Sequence, residues 1–214
     1  MQDLILAGAG GCMRELIWQI QELNKVCPTW DITGFVDYKE PQEAVYVGNR
    51  YIPYLGADDL VINSSQKINV AICVGASDLR RKIADKYSKN PNVNFPNIIL
   101  SETYVCEDVE MGQGCIISMD ARVSTNVKLG DFVFLNTGAM VCHEGNIGSY
   151  VTLAPDVKLA GNVTIGRNSE IGLGAKVIQG ITIAENVVIG AGAVVVRDIL
   201  NSCTAVGVPA RAIK

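Results

Sequence analysis

The chain has 214 residues, enough for one large or two small domains, and 49% of them are hydrophobic against 19% that are charged. This composition indicates a well-buried globular protein, and a formal net charge of -4 without any basic block disfavours nucleic acid as a partner. No apolar run reaches membrane-spanning length, so we expect no membrane insertion. Seven scattered cysteines without a CxxC pair favour a reducing compartment, and we expect a cytoplasmic protein.

The first part of the chain, residues 1–97, predicts a small Rossmann-like α/β domain. Strands alternate with helices, which is typical of a parallel sheet. Strands are predicted at residues 4–7, 30–36, 68–74 and 93–95, helices at 12–25, 57–60 and 78–89 with Ser77 as the cap of the last, and a polar, turn-rich segment at 38–54.

A glycine-rich turn joins the first strand to the first helix. Gly8 and Gly10-Gly11 fit the first two glycines of the dinucleotide-binding fingerprint, but Met13 occupies the place of the third. Backbone N–H groups at such a turn bind phosphate, and Asp37 at the end of the second strand could bind a ribose or a base. We therefore predict a site for a nucleotide or nucleotide sugar, with the alternative that these glycines only make a tight turn.

Residues 105–200 repeat every six residues in sixteen uninterrupted hexads. The first position of each hexad is a large apolar residue, the fifth is small or β-branched, and the second is often glycine, which we expect to tolerate the backbone angles of a corner. A six-residue period is typical of a parallel β-helix, in which three hexads close a triangular coil of eighteen residues. Residues 98–214 therefore predict an all-β domain of this kind with a short C-terminal extension.

The only histidine of the chain, His143, stands at the third position of its hexad, outside the apolar core. Imidazole is the natural general base near neutral pH, and the adjacent Glu144 can favour imidazolium and fix the tautomer. Gly161 follows eighteen residues later, one coil away or about 4.8 Å along the axis, and its N–H could act as an oxyanion-hole donor. The alternatives are a surface histidine without a role and, less favoured, Cys142 as a covalent nucleophile. No metal site is expected from one histidine and no cysteine pair.

With these residues the chain resembles the hexapeptide-repeat acyltransferases, and among them the sialic acid O-acetyltransferase and UDP-4-amino-sugar N-acetyltransferase family. The resemblance extends over nearly the whole chain. The segments that carry it are residues 4–15 (LILAGAGGCMRE), 30–37 (WDITGFVD), 78–84 (DLRRKIA), 135–144 (LNTGAMVCHE) and 205–210 (AVGVPA). The resemblance implies a β-helix of left-handed winding and a homotrimer with active sites between adjacent prisms.

The resemblance also implies an acetyl-CoA-dependent acetyltransferase that acts on a sugar or a nucleotide-linked amino sugar in bacterial glycan biosynthesis. His143 would be the general base, Glu144 would raise its basicity, and Asn136 would help to place the substrate. Acetyl-CoA, the co-substrate, would lie along the prism edge and pass four residues: Thr152, Gly161, Leu173 and Ala191. The sugar nucleotide would be held by the first domain through Gly10, Gly11, Cys12, Asp37 and Tyr38.

Departures from the family pattern leave the acceptor open. Some members have histidine where this chain has Cys12 and Thr152, and some have an acid in place of Tyr38. The choice between N- and O-acetylation, the sugar and its nucleotide therefore remain open. Two other functions also remain: a non-catalytic trimeric scaffold that binds a nucleotide sugar, and an acyltransferase that uses another acyl donor.

Overall fold

The computed structural model describes residues 1–213 and shows the expected fold, a Rossmann-like α/β domain followed by a left-handed parallel β-helix. The elements of the α/β domain are β1 (Gln2–Ala7), α1 (Gly11–Val26), β2 (Trp30–Val36), β3 (Val45–Val47), β4 (Arg50–Ile52), β5 (Tyr54–Gly56), α2 (Asp59–Ile62), β6 (Ile68–Ile72), α3 (Ser77–Tyr87) and β7 (Val93–Asn94). Among residues 1–213, no helix combines the length and apolar character needed to cross a membrane.

The sheet of the α/β domain has the strand order β5-β2-β1-β6-β7, and all of its pairings are parallel. The chain runs outward from β1 to β2 on one side and places β6 on the other side, so β1 and β6 form the topological switch point of the sheet. The segments that leave these two strands diverge there, which opens a crevice at the carboxyl ends. The glycine turn predicted from the sequence follows β1 at this point.

The polar segment 38–54 contains more structure than we expected from the sequence. Strands β3 and β4 form an antiparallel hairpin with a two-residue turn in which Gly48 has a φ of +57°, and β5 adds an edge strand beside β2. Each of these strands has only three residues, too few for an alternating pattern to stand out from the surrounding turn formers.

The β-helix is built from strands of two residues that stack into three sheets, here called faces. Face 1 contains β8 (Ile98–Ile99), β11 (Ile116–Ile117), β14 (Phe134–Leu135), β17 (Thr152–Leu153), β20 (Glu170–Ile171), β23 (Val188–Ile189), β25 (Thr204–Val206) and β26 (Arg211–Ala212). Face 2 contains β9 (Tyr104–Val105), β12 (Arg122–Val123), β15 (Met140–Val141), β18 (Lys158–Leu159), β21 (Lys176–Val177) and β24 (Val194–Val195). Face 3 contains β10 (Glu110–Met111), β13 (Lys128–Leu129), β16 (Asn146–Ile147), β19 (Thr164–Ile165) and β22 (Thr182–Ile183).

The stacking register confirms the eighteen-residue coil. Val141 pairs with Leu159, and Leu159 with Val177, on successive coils of face 2. The first-position side chains point inward and form one continuous core with the small fifth-position residues, as the hexad pattern predicted.

The role we expected for the second-position glycines was wrong. Left-handed backbone angles occur instead at the fourth position, where Asn126, Glu144 and Asn162 have φ values of +55°, +55° and +54°. The second-position glycines have no such angle and are required by close approach of the next coil, since a Cβ at Gly148 would lie 2.6 Å from the backbone nitrogen of Arg167.

The α/β domain covers the outer side of face 1. Helix α1 places its apolar side chains in one cluster with Ile116 and Phe134 of that face. Helix α3 inserts the buried Arg80, whose guanidinium donates to the carbonyl oxygens of Phe132 at 2.9 Å and Tyr150 at 2.9 Å. Burial lowers the pKa of Arg80 to about 10, so the side chain is charged at neutral pH and holds the two domains together through charge-assisted hydrogen bonds.

The first turn of α3 corrects a second expectation. Ser77 is the first helical residue rather than a side-chain cap, and Ala76 stands at the cap position. The Ser77 backbone N–H donates at 2.6 Å to the Glu170 carboxylate of face 1, and its hydroxyl donates at 3.1 Å to Thr152. The β-helix therefore supplies the negative charge that stabilises the N-terminus of this helix.

Candidate functional site

His143 lies at the corner between faces 2 and 3, where β15 turns into β16. Its Nδ1 is 2.5 Å from Oε2 of Glu144, and the two side chains are 48% and 55% exposed. The left-handed conformation of Glu144 places the carboxylate beside the ring that precedes it. When Nδ1 donates its proton to this carboxylate, Nε2 carries the free lone pair and can accept a proton from a ligand.

Gly161 lies directly under the imidazole of His143 on the next coil. A Cβ at Gly161 would lie 2.5 Å from Nε2 and 2.8 Å from Nδ1 of His143, so only glycine leaves room for the ring. The carbonyl of His143 accepts the N–H of Asn162 at 2.8 Å, which fixes the two coils relative to each other. The Gly161 N–H donates to no acceptor within residues 1–213, as an oxyanion-hole donor requires.

Asn136, the third predicted catalytic residue, does not lie beside His143 in the same chain. It follows β14 at the corner between faces 1 and 2, and its side-chain oxygen accepts the N–H of Thr137 at 2.8 Å. Thr137 in turn approaches helix α1 through Gln19, whose amide lies 3.5 Å from its hydroxyl. Asn136 therefore belongs to the side of the prism that faces the α/β domain.

The four residues expected along acetyl-CoA occupy three different columns. Gly161 shares the corner of His143, whereas Leu173 and Ala191 are exposed at the corner between faces 1 and 2. Thr152 lies on face 1 under the α/β domain, where its hydroxyl donates to the carbonyl of Gly75 at 2.7 Å and accepts from Arg80 at 2.8 Å. The Thr152 hydroxyl is therefore already engaged within the chain, and a role of this residue along acetyl-CoA stays a prediction. Leu173 and Ala191 can contact the same ligand as Gly161 only if they belong to a second copy of the chain that packs beside the first.

The predicted acceptor residues Asp37 and Tyr38 line a cavity of about 270 Å³ at the carboxyl ends of β1, β2 and β6. Gly8 forms part of its wall and has a φ of +111°, which explains the glycine in this turn. Asp37 is half-buried and Tyr38 is exposed. The cavity lies at the switch point, where ligands of open parallel sheets bind.

Gly10, Gly11 and Cys12 follow the cavity as the cap and first turn of α1. A Cβ at Gly10 or Gly11 would meet nothing within 4 Å, so no packing contact explains these two glycines. Their exposed backbone and the helix N-terminus form an anion-binding surface. Burial, with a contribution from Glu15, raises the pKa of Cys12 to about 11, so this thiol is protonated at neutral pH and is not a nucleophile.

Four residues that the sequence did not single out also line this cavity: Asp58, Leu79, Ile83 and Tyr87. The Tyr87 hydroxyl donates to Oδ1 of Asp58 at 2.5 Å, and Lys86 donates to Oδ2 at 2.6 Å. The spacing of Leu79, Ile83 and Tyr87 along α3 places them on one side of the helix, and that spacing was the available signal. The spacing alone could not tell that this side borders a cavity.

Two other kinds of chemistry find no support in the described part of the chain. Across residues 1–213, no group of three or more histidine, cysteine or acidic side chains is arranged to hold a metal ion. Within the same range, Cys142 makes no hydrogen bond to His143, whose Nδ1 is engaged with Glu144. The geometry thus favours His143 as a base that acts on a bound ligand rather than on Cys142.

Comparison with known proteins extends these observations. The family model for the PglD N-terminal domain matches residues 3–87. No curated protein matches the chain significantly.

Solved structures match the whole chain. The acetyltransferase domain of PglB from Neisseria gonorrhoeae is 29% identical, with complete coverage of both chains and a TM-score of 0.87, and the same domain is known in complex with acetyl coenzyme A. A histidine-to-alanine variant of GDP-perosamine N-acetyltransferase from Caulobacter crescentus, in complex with CoA and GDP-perosamine, is 28% identical with a TM-score of 0.87 and covers 100% of this chain and 98% of its own. WeeI from Acinetobacter baumannii shares the fold at 24% identity, with complete coverage of both chains and a TM-score of 0.81.

Proposed function

We propose that this chain is a member of the hexapeptide-repeat sugar acetyltransferase family, which its likeness to the matched domain and structures supports, and that it transfers the acetyl group of acetyl-CoA to the amino group of a nucleotide-linked amino sugar in bacterial glycan biosynthesis. The observation that carries the proposal is the position of His143. Its ring is held over Gly161, Glu144 fixes the proton on Nδ1, and Nε2 remains available at an exposed corner.

His143 acts as the general base in a direct transfer. Its Nε2 accepts a proton from the sugar amine as the amine nitrogen attacks the thioester carbon, and a carbon–nitrogen bond forms. The tetrahedral intermediate collapses with cleavage of the carbon–sulfur bond, and the imidazolium returns its proton to the departing CoA thiolate. Glu144 stabilises the imidazolium between these two steps, as a carboxylate does for a positioned histidine.

The Gly161 N–H provides the charge stabilisation that this reaction needs. A thioester oxygen placed beside the ring becomes an oxyanion when the amine attacks. The N–H of Gly161 has no acceptor within residues 1–213 and lies on the coil next to the base. A donor of this kind is worth about 3 kcal/mol of transition-state stabilisation in other enzymes.

The acceptor is bound by the α/β domain. The exposed turn with Gly10, Gly11 and Cys12 binds the diphosphate, and Asp37 and Tyr38 contact the nucleoside in the cavity at the switch point. The complex of a related N-acetyltransferase with GDP-perosamine supports a nucleotide-linked amino sugar as the acceptor. It also favours N-acetylation over O-acetylation.

A complete site requires more than one copy of the chain. The α/β domain packs on face 1, whereas His143 lies at the opposite edge of the prism, between faces 2 and 3. The bound sugar can reach His143 only if the crevice of one copy faces the corner of another. We therefore propose the homotrimer implied by the family, with the sugar between adjacent prisms and with Asn136, Leu173 and Ala191 contributed from the second copy.

The other hypotheses have less support. A scaffold has no use for an exposed histidine whose proton is fixed by a carboxylate, and the structures of relatives with CoA and acetyl coenzyme A favour acetyl as the group transferred. The scattered cysteines continue to favour the cytoplasm as the compartment of the reaction.

The test is acetyl transfer from acetyl-CoA, followed as free thiol release, with UDP-, dTDP- and GDP-linked amino sugars and free sialic acids as acceptors. We expect turnover with an amino-sugar nucleotide and its loss in His143→Ala. Turnover only with acceptors that offer a hydroxyl group would show that the protein is an O-acetyltransferase and that the proposed N-acetylation is wrong. Binding of a nucleotide sugar with no transfer from any acyl donor would favour the scaffold.

A further inference from the structure

Gln19 is a buried polar side chain on the side of helix α1 that packs against the β-helix. It is 1% exposed. The other buried residues of the helix are all apolar: Met13, Leu16, Ile17 and Ile20. A buried amide costs free energy unless its donor and its acceptor both have partners. Packing alone would accept an apolar side chain at this position, so the amide of Gln19 needs another explanation.

Gln19 crosses the domain boundary to the corner between faces 1 and 2. Its Oε1 accepts the backbone N–H of Met119 at 3.0 Å. Because a backbone N–H can only donate, this contact fixes the orientation of the amide and directs Nε2 to the Thr137 hydroxyl, 3.5 Å away. Met119 and Thr137 are eighteen residues apart and lie on adjacent coils. One side chain of α1 therefore contacts two coils of the β-helix.

Thr137 connects this contact to Asn136. The Thr137 N–H donates to the side-chain oxygen of Asn136 at 2.8 Å, and the Asn136 carbonyl accepts the N–H of Ala139 at 2.9 Å. The Thr137 hydroxyl also lies 3.5 Å from Oε1 of Glu15, one turn before Gln19 on the same helix. Helix α1 thus holds the turn that contains Asn136.

The same helix begins at the proposed acceptor surface. Gly10 is its cap and Gly11 its first residue. Gln19 follows Gly11 by eight residues, which is about 12 Å along the helix axis. A helix keeps this distance fixed, so one element determines both where the diphosphate of the acceptor binds and where the turn of Asn136 lies.

From these contacts we infer that Gln19 is a positioning residue of the proposed acetyl transfer; the inference rests on the proposed function. Gln19 fixes the turn of Asn136 relative to the helix whose N-terminus binds the acceptor. Both parts belong to the same copy of the chain and together face His143 of a neighbouring copy. The amine of the acceptor is thereby held at a defined place in front of the neighbouring base.

Gln19→Met tests this role, because methionine has a similar volume and removes the hydrogen bonds of the amide. We expect kcat for a GDP-linked amino sugar to fall roughly tenfold with KM for this acceptor unchanged, since the acceptor still binds but its amine is misplaced. The same amino sugar without its nucleotide is not held by the helix, so its slower acetylation should be unaffected. A purely structural role would lower the rates with both acceptors by the same factor.

Two further variants complete the kinetic experiment. Thr137→Val should cause the same loss as Gln19→Met, and the double variant should lose little more, because both changes break the same connection. Gln21→Met is the matched control, since Gln21 is half-buried on the same helix but about 200° of helix rotation away from Gln19. Equal losses with both acceptors in Gln19→Met, or a full rate with the GDP-linked acceptor, would overturn the inference.

Amide hydrogen exchange separates this inference from the proposed function, because it requires no acetyl transfer. Binding of a GDP-linked amino sugar to the wild type should slow exchange in residues 136–139, and Gln19→Met should bind the same compound without this effect. Equal slowing in both proteins would show that the inference is wrong while the proposed function stands. Slowing in the wild type alone, without transfer to any acceptor, would show that the proposed function is wrong and that Gln19 still connects the helix to the turn. Absence of binding to the wild type would contradict both.

Discussion

The imidazole of His143 occupies the space that a side chain at Gly161 would need, with Nε2 2.5 Å from the position of the missing Cβ. The two residues are eighteen positions apart and lie on adjacent coils. This arrangement joins the base and the proposed oxyanion donor in one small unit, and it makes the glycine as necessary as the histidine.

Gly161→Ala tests this relationship. The methyl group would displace the imidazole, and we expect kcat to fall roughly 100-fold because general-base catalysis is lost. The ring is exposed and can rotate away, so the melting temperature should change little. Gly148→Ala is the contrasting variant, because its Cβ would meet the backbone nitrogen of Arg167 at 2.6 Å and should lower stability instead. A Gly161→Ala protein with full activity would contradict the proposed position of the base.

Glu144→Gln separates the role of the carboxylate from that of the ring. The amide can still accept from Nδ1 but has no charge to stabilise imidazolium, so we expect kcat to fall roughly tenfold, against 10²- to 10⁴-fold in His143→Ala. Steady-state kinetics at saturating acetyl-CoA measures both losses. Glu185→Gln, an exposed acid on another hexad, is the control. A Glu144→Gln variant as inactive as His143→Ala would assign the carboxylate a larger role than proton fixation.

Mixed oligomers test whether the site is shared between copies. Gly11→Phe should obstruct the acceptor crevice, and a Cβ at Gly11 meets nothing within 4 Å, so the backbone there has room for a side chain. Each of Gly11→Phe and His143→Ala should be inactive alone. Co-assembled in equal amounts, they should recover activity at about one site in four by random assortment, where an intact base meets an intact crevice.

The control for this experiment is co-assembly of His143→Ala with Glu144→Gln. Both changes alter the same corner of a copy, so no site gains an intact pair and activity should stay at the level of the Glu144→Gln sites. Recovery in that control, or its absence with Gly11→Phe, would contradict a site shared in the proposed way.

The interdomain contact of Arg80 should dominate the stability of the molecule. Arg80→Ala leaves several buried carbonyls without a donor, and we expect the free energy of unfolding to fall by roughly 3 kcal/mol. Arg81→Ala is the matched control on the same helix, because Arg81 forms only solvent-accessible ion pairs along the helix, with Asp78 and Asp85, and should contribute less than about 0.5 kcal/mol. Urea denaturation measures the free energy of unfolding of both variants. Equal losses in Arg80→Ala and Arg81→Ala would show that the buried contact of Arg80 does not hold the two domains together.

Asp58 should give stability that depends on pH. Burial opposes ionisation of its carboxyl, but the hydrogen bonds from Lys86 and Tyr87 outweigh this effect and lower the pKa from its ordinary value of 3.8. A lowered pKa in the folded state stabilises the protein above the unfolded value, and this stabilisation is lost as pH falls through the folded pKa. The urea concentration at the unfolding midpoint should therefore differ most between wild type and Asp58→Asn near pH 7. This difference should shrink below about pH 4. Asp59→Asn, which removes the exposed carboxylate next in the chain, is the control variant.

The hexad pattern was sufficient to predict the β-helix. An apolar residue at every first position indicates a buried position from the local sequence alone, whichever distant residues pack against it. The same counting placed Gly161 beside His143. It could not tell which outer face the α/β domain covers, since Ile116, Phe134 and Thr152 stand in the same sequence pattern as the exposed residues of the other faces. Arg80 and Arg81 are likewise equivalent in a basic helix, and only the packing of α3 on face 1 buries Arg80 while Arg81 stays half-buried at the surface.

In the proposed reaction, His143 removes the proton from a sugar amine during acetyl transfer. Its most direct test is single-turnover transfer from acetyl-CoA to a GDP-linked amino sugar, with the acetylated product detected by mass spectrometry in wild type and in His143→Ala at saturating concentrations of both substrates. We predict N-acetylated product from the wild type and a rate at least 100-fold lower in the variant, with unchanged binding of acetyl-CoA. A His143→Ala protein that forms the same product at the wild-type rate would contradict the account.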